Sequence, residues 1–203
     1  SYGVANMVEQ GKKMGITTWE IPSRFGLSLT LGGGEIRMTD LAVVYATLAN
    51  YGKRVELVPI LKVMNNNGRM LEENECQSPE AGNECGSQVL DPRVAFLLTD
   101  ILKDNNARLP AFGANSLLVI PGHSEVAVKT GTTQNLRDNW AIGYTKDYVV
   151  AAWVGNNDNT PMSWVASGVT GATPIWHKIM KFLLEGPLKD NIFNFMRKAG
   201  YFS

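Results

Sequence analysis

The chain has 203 residues, of which 44% are hydrophobic and 19% charged, a composition typical of a packed globular domain. Its 19 basic and 19 acidic residues give a formal net charge of zero. This balance argues against a nucleic-acid partner, since proteins that bind nucleic acids usually carry a basic excess. The longest apolar run, from Tyr148 to Gly155, is far too short to cross a bilayer.

Two helices are predicted in the first part of the chain. The first extends from about Val4 to Met14 and ends at Gly15. The second follows the loop "SLTLGGGEIRMTD", with Thr39 as its N-cap and Gly52 at its C-terminal end. The apolar stripe of this second helix consists of Leu41, Val44, Tyr45 and Leu48.

A hairpin and a third helix are predicted next. The segment "LVPILKVMNNNGRML" predicts a hairpin whose turn is formed by Asn66, Asn67 and Gly68. The third helix begins at Asp91-Pro92, because aspartate is a favourable N-cap and proline fits the first helical position. The residues predicted to be buried on this helix are Val94, Leu97, Leu98, Ile101 and Leu102.

The second half of the chain is dominated by strand patterns. After a predicted loop, "NNARLPAFGANSLL", the first strand is "EVAVKT". In "NWAIGYT", large side chains alternate with small ones, and "YVVAAWVG" follows after a short connection, so these two strands are predicted to pair antiparallel. A final helix begins near Thr173-Pro174. Helices, then strands, then a helix indicate an α+β fold, an antiparallel sheet packed with helices.

Several residues that often carry chemistry lack a supporting pattern here. The glycines Gly32 to Gly34 are interpreted as a tight loop, because no G-K-[ST] follows them. His123 and His177 have no partner at metal-ligand spacing, and we expect neither a metal nor a cofactor. Arg137 and Asp138 are interpreted as a surface ion pair.

The two cysteines, Cys76 and Cys85, match no familiar metal-binding spacing. Their positions in one polar loop leave open two unrelated thiols or a disulfide that closes the loop.

The segment "VAVKTGTTQNLRDNW", Val126 to Trp140, could support specific chemistry. Lys129 would supply a positive field, and Gly131 would let a substrate lie against the strand backbone. Thr130 and Thr132 share one face by strand periodicity and offer two hydroxyl donors to a carboxylate. The backbone N–H of Thr132 could donate to a developing oxyanion. The tripeptide K-T-G alone favours a plainer interpretation, an exposed edge lysine before a threonine-rich strand end.

The surrounding motifs change that interpretation. The segment "VAVKTGTTQNLRDNWAIGYTKDYVVAAWVGNNDNTPM" resembles the transpeptidase domain of class A penicillin-binding proteins, the bifunctional peptidoglycan synthases. The segments "GLSLTLGGGEIRMTDLAVVYATLANYG", "DILKDNNARLPAFGANS" and "SGVTGATPIWHKIM" resemble the same family in the same order. The resemblance implies a partial serine β-lactamase/DD-peptidase fold. It also implies that residues 1–186 are the C-terminal part of a transpeptidase domain and residues 187–203 a tail.

The family needs the motifs S-x-x-K, S-x-N and K-T-G. No serine in this chain is followed by lysine three positions later or by asparagine two positions later. The resemblance therefore implies that the nucleophilic serine lies upstream of this chain, and that this chain alone is inactive.

The resemblance assigns roles to the four residues of the K-T-G strand end. It implies that Lys129 orients protons and the substrate carboxylate. It implies that Thr130, Gly131 and Thr132 bind a D-Ala-D-Ala stem peptide or a β-lactam. The N–H of Thr132 would form half of the oxyanion hole.

The sequence leaves two other functions open, because both would use the same strand. A DD-carboxypeptidase or β-lactamase would transfer the acyl group to water, and a penicillin-binding sensor domain would perform no turnover. For any of these, the resemblance implies a cell-envelope location on the outer face of the bacterial cytoplasmic membrane, with an N-terminal anchor outside this chain. Thiols oxidise there, so a Cys76–Cys85 disulfide becomes the expectation.

Overall fold

The computed structural model of the chain describes residues 2–73, 86–162 and 170–186. In these residues the α-helices are α1 (Val4–Lys13), α2 (Met38–Ala49), α3 (Pro92–Lys103), α4 (Asn105–Phe112) and α5 (Ala172–Glu185). The strands are β1 (Lys53–Arg54), β2 (Lys62–Met64), β3 (Met70–Glu73), β4 (Ser87–Gln88), β5 (Ala127–Thr132), β6 (Asp138–Tyr144) and β7 (Val149–Gly155). Short 3₁₀ helices occur at Pro22–Arg24, Leu27–Leu31 and Gln134–Leu136.

The centre of the fold is a three-stranded antiparallel sheet in the order β5-β6-β7. Helix α5 packs on one face of this sheet, against β6 and β7, while α2 and α3 pack on the other face. The predicted α+β class is therefore confirmed, as is the predicted antiparallel pairing of the last two strands.

The main core lies between the sheet and α5. Its buried members include Val128, Ala141, Val150, Ala152, Trp176 and Met180. Gly143, in the middle of β6, makes this packing possible, because a Cβ there would lie 2.5 Å from Cζ2 of Trp176 and 2.8 Å from the carbonyl oxygen of Ala127. The indole ring of Trp176 thus packs directly against the backbone of β6.

The opposite face of the sheet meets α2 and α3 through aromatic and small side chains. The rings of Tyr45 and Tyr144 lie edge to face with centroids 5.9 Å apart, and Tyr144 shares a 2.8 Å hydrogen bond with the hydroxyl of Thr99. Burial raises the pKa of Tyr45 to about 12, so this phenol stays neutral at physiological pH. Ala95, fully buried on α3, allows that helix to approach β5 closely.

Helix α2 begins two residues earlier than the capping pattern predicted. Arg37 is its N-cap and provides no side-chain hydrogen bond, so the prediction of Thr39 as the cap is wrong. The buried carboxylate of Asp40 instead accepts hydrogen bonds from the backbone N–H and the hydroxyl of Thr17, at 2.7 and 2.6 Å. This contact turns Asp40 inward and leaves Thr39 exposed within the first turn.

Helix α3 has the predicted start but not the predicted burial. The carboxylate of Asp91 accepts from the N–H of Arg93, which confirms the cap. The burial prediction is wrong for four of its five residues in the described part of the chain, since Val94, Leu97, Leu98 and Ile101 are 39–67% exposed. The helix contacts the sheet through Ala95 and the partly buried Leu102, so its bulkier apolar side chains point outward.

The segment predicted as a loop after α3 contains helix α4. Asp104 begins it by accepting a 3.0 Å hydrogen bond from the N–H of Ala107. The loop prediction is wrong because this cap starts a new helix at once, even though Pro110 lies inside it and it carries little apolar periodicity.

The remaining predictions concern the hairpin and the cysteines. Strands β2 and β3 pair antiparallel around a turn in which the N–H of Gly68 donates to the carbonyl of Asn65, so the predicted hairpin is confirmed. Cys76 and Cys85 lie outside the described residues, and their disulfide stays a prediction. None of the helices described has both the length and the apolar character needed to cross a membrane.

We predict that Gly143→Ala lowers the free energy of unfolding by about 1–3 kcal/mol, the usual range for overpacking a filled core. Gly26→Ala is the matched control, because its added methyl group would meet nothing within 4 Å. Thermal unfolding followed by circular dichroism compares both variants with the unchanged chain. Equal melting temperatures for the two variants would contradict the close contact between Trp176 and β6.

Candidate functional site

The K-T-G residues lie at the end of an edge strand. Among the described residues, β5 pairs with β6 alone, so one side of β5 has no neighbouring strand. We call this side the open edge. An unpaired strand edge presents backbone donors and acceptors in a row, and an extended peptide can bind there by adding a strand.

The register of the sheet determines which backbone groups point to the open edge. The N–H of Thr133 donates to the carbonyl of Asp138 at 3.0 Å, so these opposite residues form a hydrogen-bonded pair. In an antiparallel ladder such pairs alternate with non-bonded pairs. Lys129 and Gly131 therefore direct their backbone groups towards β6, while Thr130 and Thr132 direct theirs to the open edge.

The ammonium of Lys129 lies over this edge. Its Nζ donates a 2.6 Å hydrogen bond to the carbonyl oxygen of Thr130, and the residue is exposed. The contact agrees with the register, because the carbonyl of Thr130 belongs to the set that points away from β6. A positive charge is thus held within one residue of the N–H groups at the open edge.

The side chains of this strand alternate between the two faces of the sheet. Thr130 and Thr132 lie on the face that packs towards α5, whereas Lys129 and Gly131 lie on the face that packs towards α3. A Cβ on Gly131 would meet one atom within 4 Å, the Cβ of Trp140 at 3.7 Å, which is an ordinary contact. The fold itself therefore leaves space beside Gly131.

A buried asparagine holds the hydroxyl of Thr132. Asn139, on β6 opposite Thr132, is fully buried. Its Nδ2 donates to the Oγ1 of Thr132 at 3.0 Å, and its Oδ1 accepts from the N–H of Ala172 at 2.6 Å. Asn139 was not predicted as a site residue, although a polar residue on the inward face of β6 was an available signal.

Arg137 and Asp138 do not form the predicted surface pair. The carboxylate of Asp138 accepts from the indole N–H of Trp153 at 2.9 Å and from the hydroxyl of Thr133 at 3.2 Å. The guanidinium of Arg137 donates to the carbonyl of Asn159 instead. These contacts fix the turn between β5 and β6, immediately beyond Thr132.

The other candidate residues lie elsewhere. His123 contacts Glu125 at 2.9 Å and His177 contacts the carbonyl of Leu117 at 2.7 Å. Over the described ranges, no group of three or more His, Cys, Asp or Glu residues is arranged to hold a metal ion. Gly32 follows a 3₁₀ helix with a φ of 88°, as expected for a tight loop.

A cavity of about 500 Å³ lies at the opposite end of the sheet from Thr132. Its lining includes Phe96, Lys103, Tyr144 and Lys146. This position, at the turn between β6 and β7, separates the cavity from the K-T-G residues, none of which lines it. The candidate site is therefore the open edge of β5 rather than the cavity.

Comparisons with known proteins identify the family of the chain. Residues 3–181 match the family described as the penicillin binding protein transpeptidase domain. Penicillin-binding protein 1A of Neisseria lactamica is 32% identical over 186 residues, which cover 92% of this chain and 22% of that protein. Solved structures are similar as well. Penicillin-binding protein 1A from Haemophilus influenzae has a TM-score of 0.74 at 22% identity, covering 91% of this chain and 31% of that one. The PonA1 protein from Mycobacterium tuberculosis in complex with penicillin V has a TM-score of 0.71 at 25% identity, covering 92% and 51%.

These similarities confirm the partial penicillin-binding protein fold that the resemblance implied. The chain spans about a fifth of the length of the Neisseria relative, since it covers 22% of that protein. The match includes the whole of β5, β6, β7 and the first part of α5. The chain belongs to the penicillin-binding protein transpeptidase domain family, in which its matched relatives are the class A proteins named penicillin-binding protein 1A.

Proposed function

We propose that this chain forms the substrate-binding wall of a serine-type D,D-transpeptidase that cross-links peptidoglycan stem peptides. The observation that carries the proposal is the open edge of β5. There the N–H of Thr132 points outward, next to its own hydroxyl and the ammonium of Lys129. Three donors of this kind suit a substrate with a carboxylate beside a reactive carbonyl.

The proposed substrate is the D-Ala-D-Ala end of a stem peptide, and β-lactam antibiotics would bind in its place. The terminal carboxylate would accept from the hydroxyls of Thr130 and Thr132. The peptide would lie along the open edge as an added strand, close to Gly131. The penicillin V complex of the related PonA1 protein supports a β-lactam as ligand.

In the proposed reaction, a serine oxygen attacks the carbonyl of the penultimate D-Ala and forms a tetrahedral oxyanion. The N–H of Thr132 stabilises this charge, the peptide C–N bond breaks, and D-Ala leaves with a proton. An amine of a second stem peptide then attacks the ester and restores the serine. Lys129 orients the carboxylate and the protons of the neighbouring groups.

The serine must come from another part of the protein, because this chain contains neither S-x-x-K nor S-x-N. We propose that residues 1–186 complete a transpeptidase domain whose first part lies upstream, and that residues 187–203 are a tail. The proposed location is the cell envelope, on the outer face of the cytoplasmic membrane, with an upstream anchor. The exposed apolar side chains of α3 support a covering segment, since patches of that kind mark contact surfaces.

Gly131→Ala tests whether a ligand approaches the strand. We expect the stability of the complete domain to stay within about 1 kcal/mol, because the fold has space for the methyl group. We expect the second-order rate of acylation by penicillin to fall about five- to a hundredfold, the equivalent of 1–3 kcal/mol of overpacking against the ligand. Unchanged acylation would show that no ligand contacts the backbone at Gly131.

Thr132→Val tests the carboxylate contact. The substitution keeps the shape of the side chain and the backbone N–H, and it removes one hydroxyl. A hydrogen bond to a charged group contributes about 1.5–3 kcal/mol, so acylation by penicillin should slow about ten- to a hundredfold. Stopped-flow measurement of the acylation rate, with the melting temperature as control, checks this. A variant that acylates at the original rate would exclude Thr132 from the ligand.

The location of the nucleophile is tested by comparing this chain with a protein extended upstream. We expect fluorescent penicillin to label the extended protein on a denaturing gel and to leave this chain unlabelled. A covalent adduct on this chain would contradict the proposal, and peptide mapping would identify the residue. If the extended protein transfers the acyl group to water even with an amine acceptor present, it is a hydrolase instead.

A further inference from the structure

We propose that Asn139 is a positioning residue that holds the hydroxyl of Thr132 so that its O–H points at the substrate carboxylate. The inference rests on the proposed function, because it assumes that Thr132 binds this carboxylate. It adds a residue outside the K-T-G motif, on the neighbouring strand, and connects the site to helix α5.

The two hydrogen-bond partners of Asn139 determine which way its side-chain amide is oriented. The backbone nitrogen of Ala172 can only donate, so the amide atom that faces it at 2.6 Å must be Oδ1. The amide atom that faces the Oγ1 of Thr132 at 3.0 Å is therefore Nδ2, which can only donate. Both ends of the amide have a partner, as expected for a side chain that is fully buried.

This orientation determines what Thr132 can do. A hydroxyl has one O–H to donate and accepts through its lone pairs. Because the Oγ1 of Thr132 accepts from Nδ2, its own hydrogen must point in another direction. Thr132 is exposed, so that hydrogen can reach a ligand at the open edge. Asn139 thus makes Thr132 a donor, which is the role a carboxylate needs.

The hydrogen bonds form a chain in which every donor points in the same direction, towards the substrate. The N–H of Ala172 donates to Asn139, Asn139 donates to Thr132, and Thr132 donates to the carboxylate. Ala172 is the first residue of the 14-residue helix α5, whose N-terminus carries a partial positive charge. Hydrogen bonds in one direction polarise each other, so each donor in the chain is strengthened.

Gly171 allows this connection. It is the N-cap of α5 and provides no side-chain cap, so Asn139 caps the helix from β6. A Cβ on Gly171 would lie 2.5 Å from the Oδ1 of Asn139. The glycine therefore permits the close approach of the helix terminus to the strand.

Two substitutions in the complete domain separate capping from positioning. Asn139→Ala removes both hydrogen bonds. Asn139→Asp keeps an acceptor for the N–H of Ala172. Its carboxylate, ionised beside the positive N-terminus of α5, has no donor, so the hydroxyl of Thr132 would turn towards it and away from the ligand. We expect Asn139→Asp to keep the melting temperature within a few degrees and to slow acylation by fluorescent penicillin about tenfold or more. Full acylation by this variant would overturn the inference.

A double-mutant cycle tests whether Asn139 acts through Thr132. Asn139→Ala should slow acylation about three- to tenfold in the original background, and should have no further effect when Thr132 is already valine. Equal losses in both backgrounds would overturn the inference, because a general structural effect does not depend on the hydroxyl. If Thr132→Val alone has no effect, the proposed carboxylate contact fails instead.

Thr47→Val serves as the control for lost stability. Thr47 is also fully buried, and its hydroxyl bonds the carbonyl of Val43 within α2. We expect this variant to lower the melting temperature and to leave the acylation rate unchanged. An equal loss of acylation in Thr47→Val would assign the Asn139 effect to stability and overturn the inference.

Discussion

The antiparallel pairing of β5 with β6 is the constraint on which the candidate site depends. The hydrogen-bonded pair of Thr133 and Asp138 sets the alternation for the whole strand. It directs the N–H of Thr132 and the carbonyl of Thr130 to the open edge, where the ammonium of Lys129 lies. A shift by one residue would turn these groups towards β6 and reverse the faces of all the side chains. The contacts of Asp138 with Trp153 and Thr133 stabilise the turn that fixes this register.

Helix α5 supports the same strand pair in two ways. Its buried residues, with Trp176 against Gly143, supply most of the apolar packing beneath the sheet. Its first N–H bonds Asn139, which in turn bonds Thr132. Apolar packing in the middle of the sheet and hydrogen bonds at the candidate site therefore both hold α5 against β5 and β6. This arrangement explains why the small residues Gly143 and Gly171 both lie where α5 meets β6.

The sequence predicted what depends on regular periodicity and missed features that periodicity does not reveal. The alternation of Trp140, Ile142 and Tyr144 predicted β6, and the Asp91-Pro92 pair predicted the start of α3. Helix α4 was missed because Asp104 ends one helix and caps the next, a double role that periodicity does not reveal.

The site shows a division between local and distant information. The K-T-G residues could be identified from their motif and the family resemblance. The role of Asn139 depends on the N-terminus of α5, which is 33 residues away in the sequence. The burial of α3 could not be predicted either, because the helix meets the sheet through the small Ala95 rather than through its stripe of large apolar residues.

The exposed surface of α3 and the open edge of β5 belong to elements that contact each other. Among the described residues, α3 has exposed apolar side chains, and β5 has backbone groups on its open edge that pair with no strand. In the proposed function, an upstream segment covers α3 and brings the serine beside Lys129, while the substrate peptide pairs with the open edge. Burial of apolar area would then provide the free energy that holds the nucleophile at the correct distance from Thr132. The stability of the domain and the assembly of its active site would depend on the same contact.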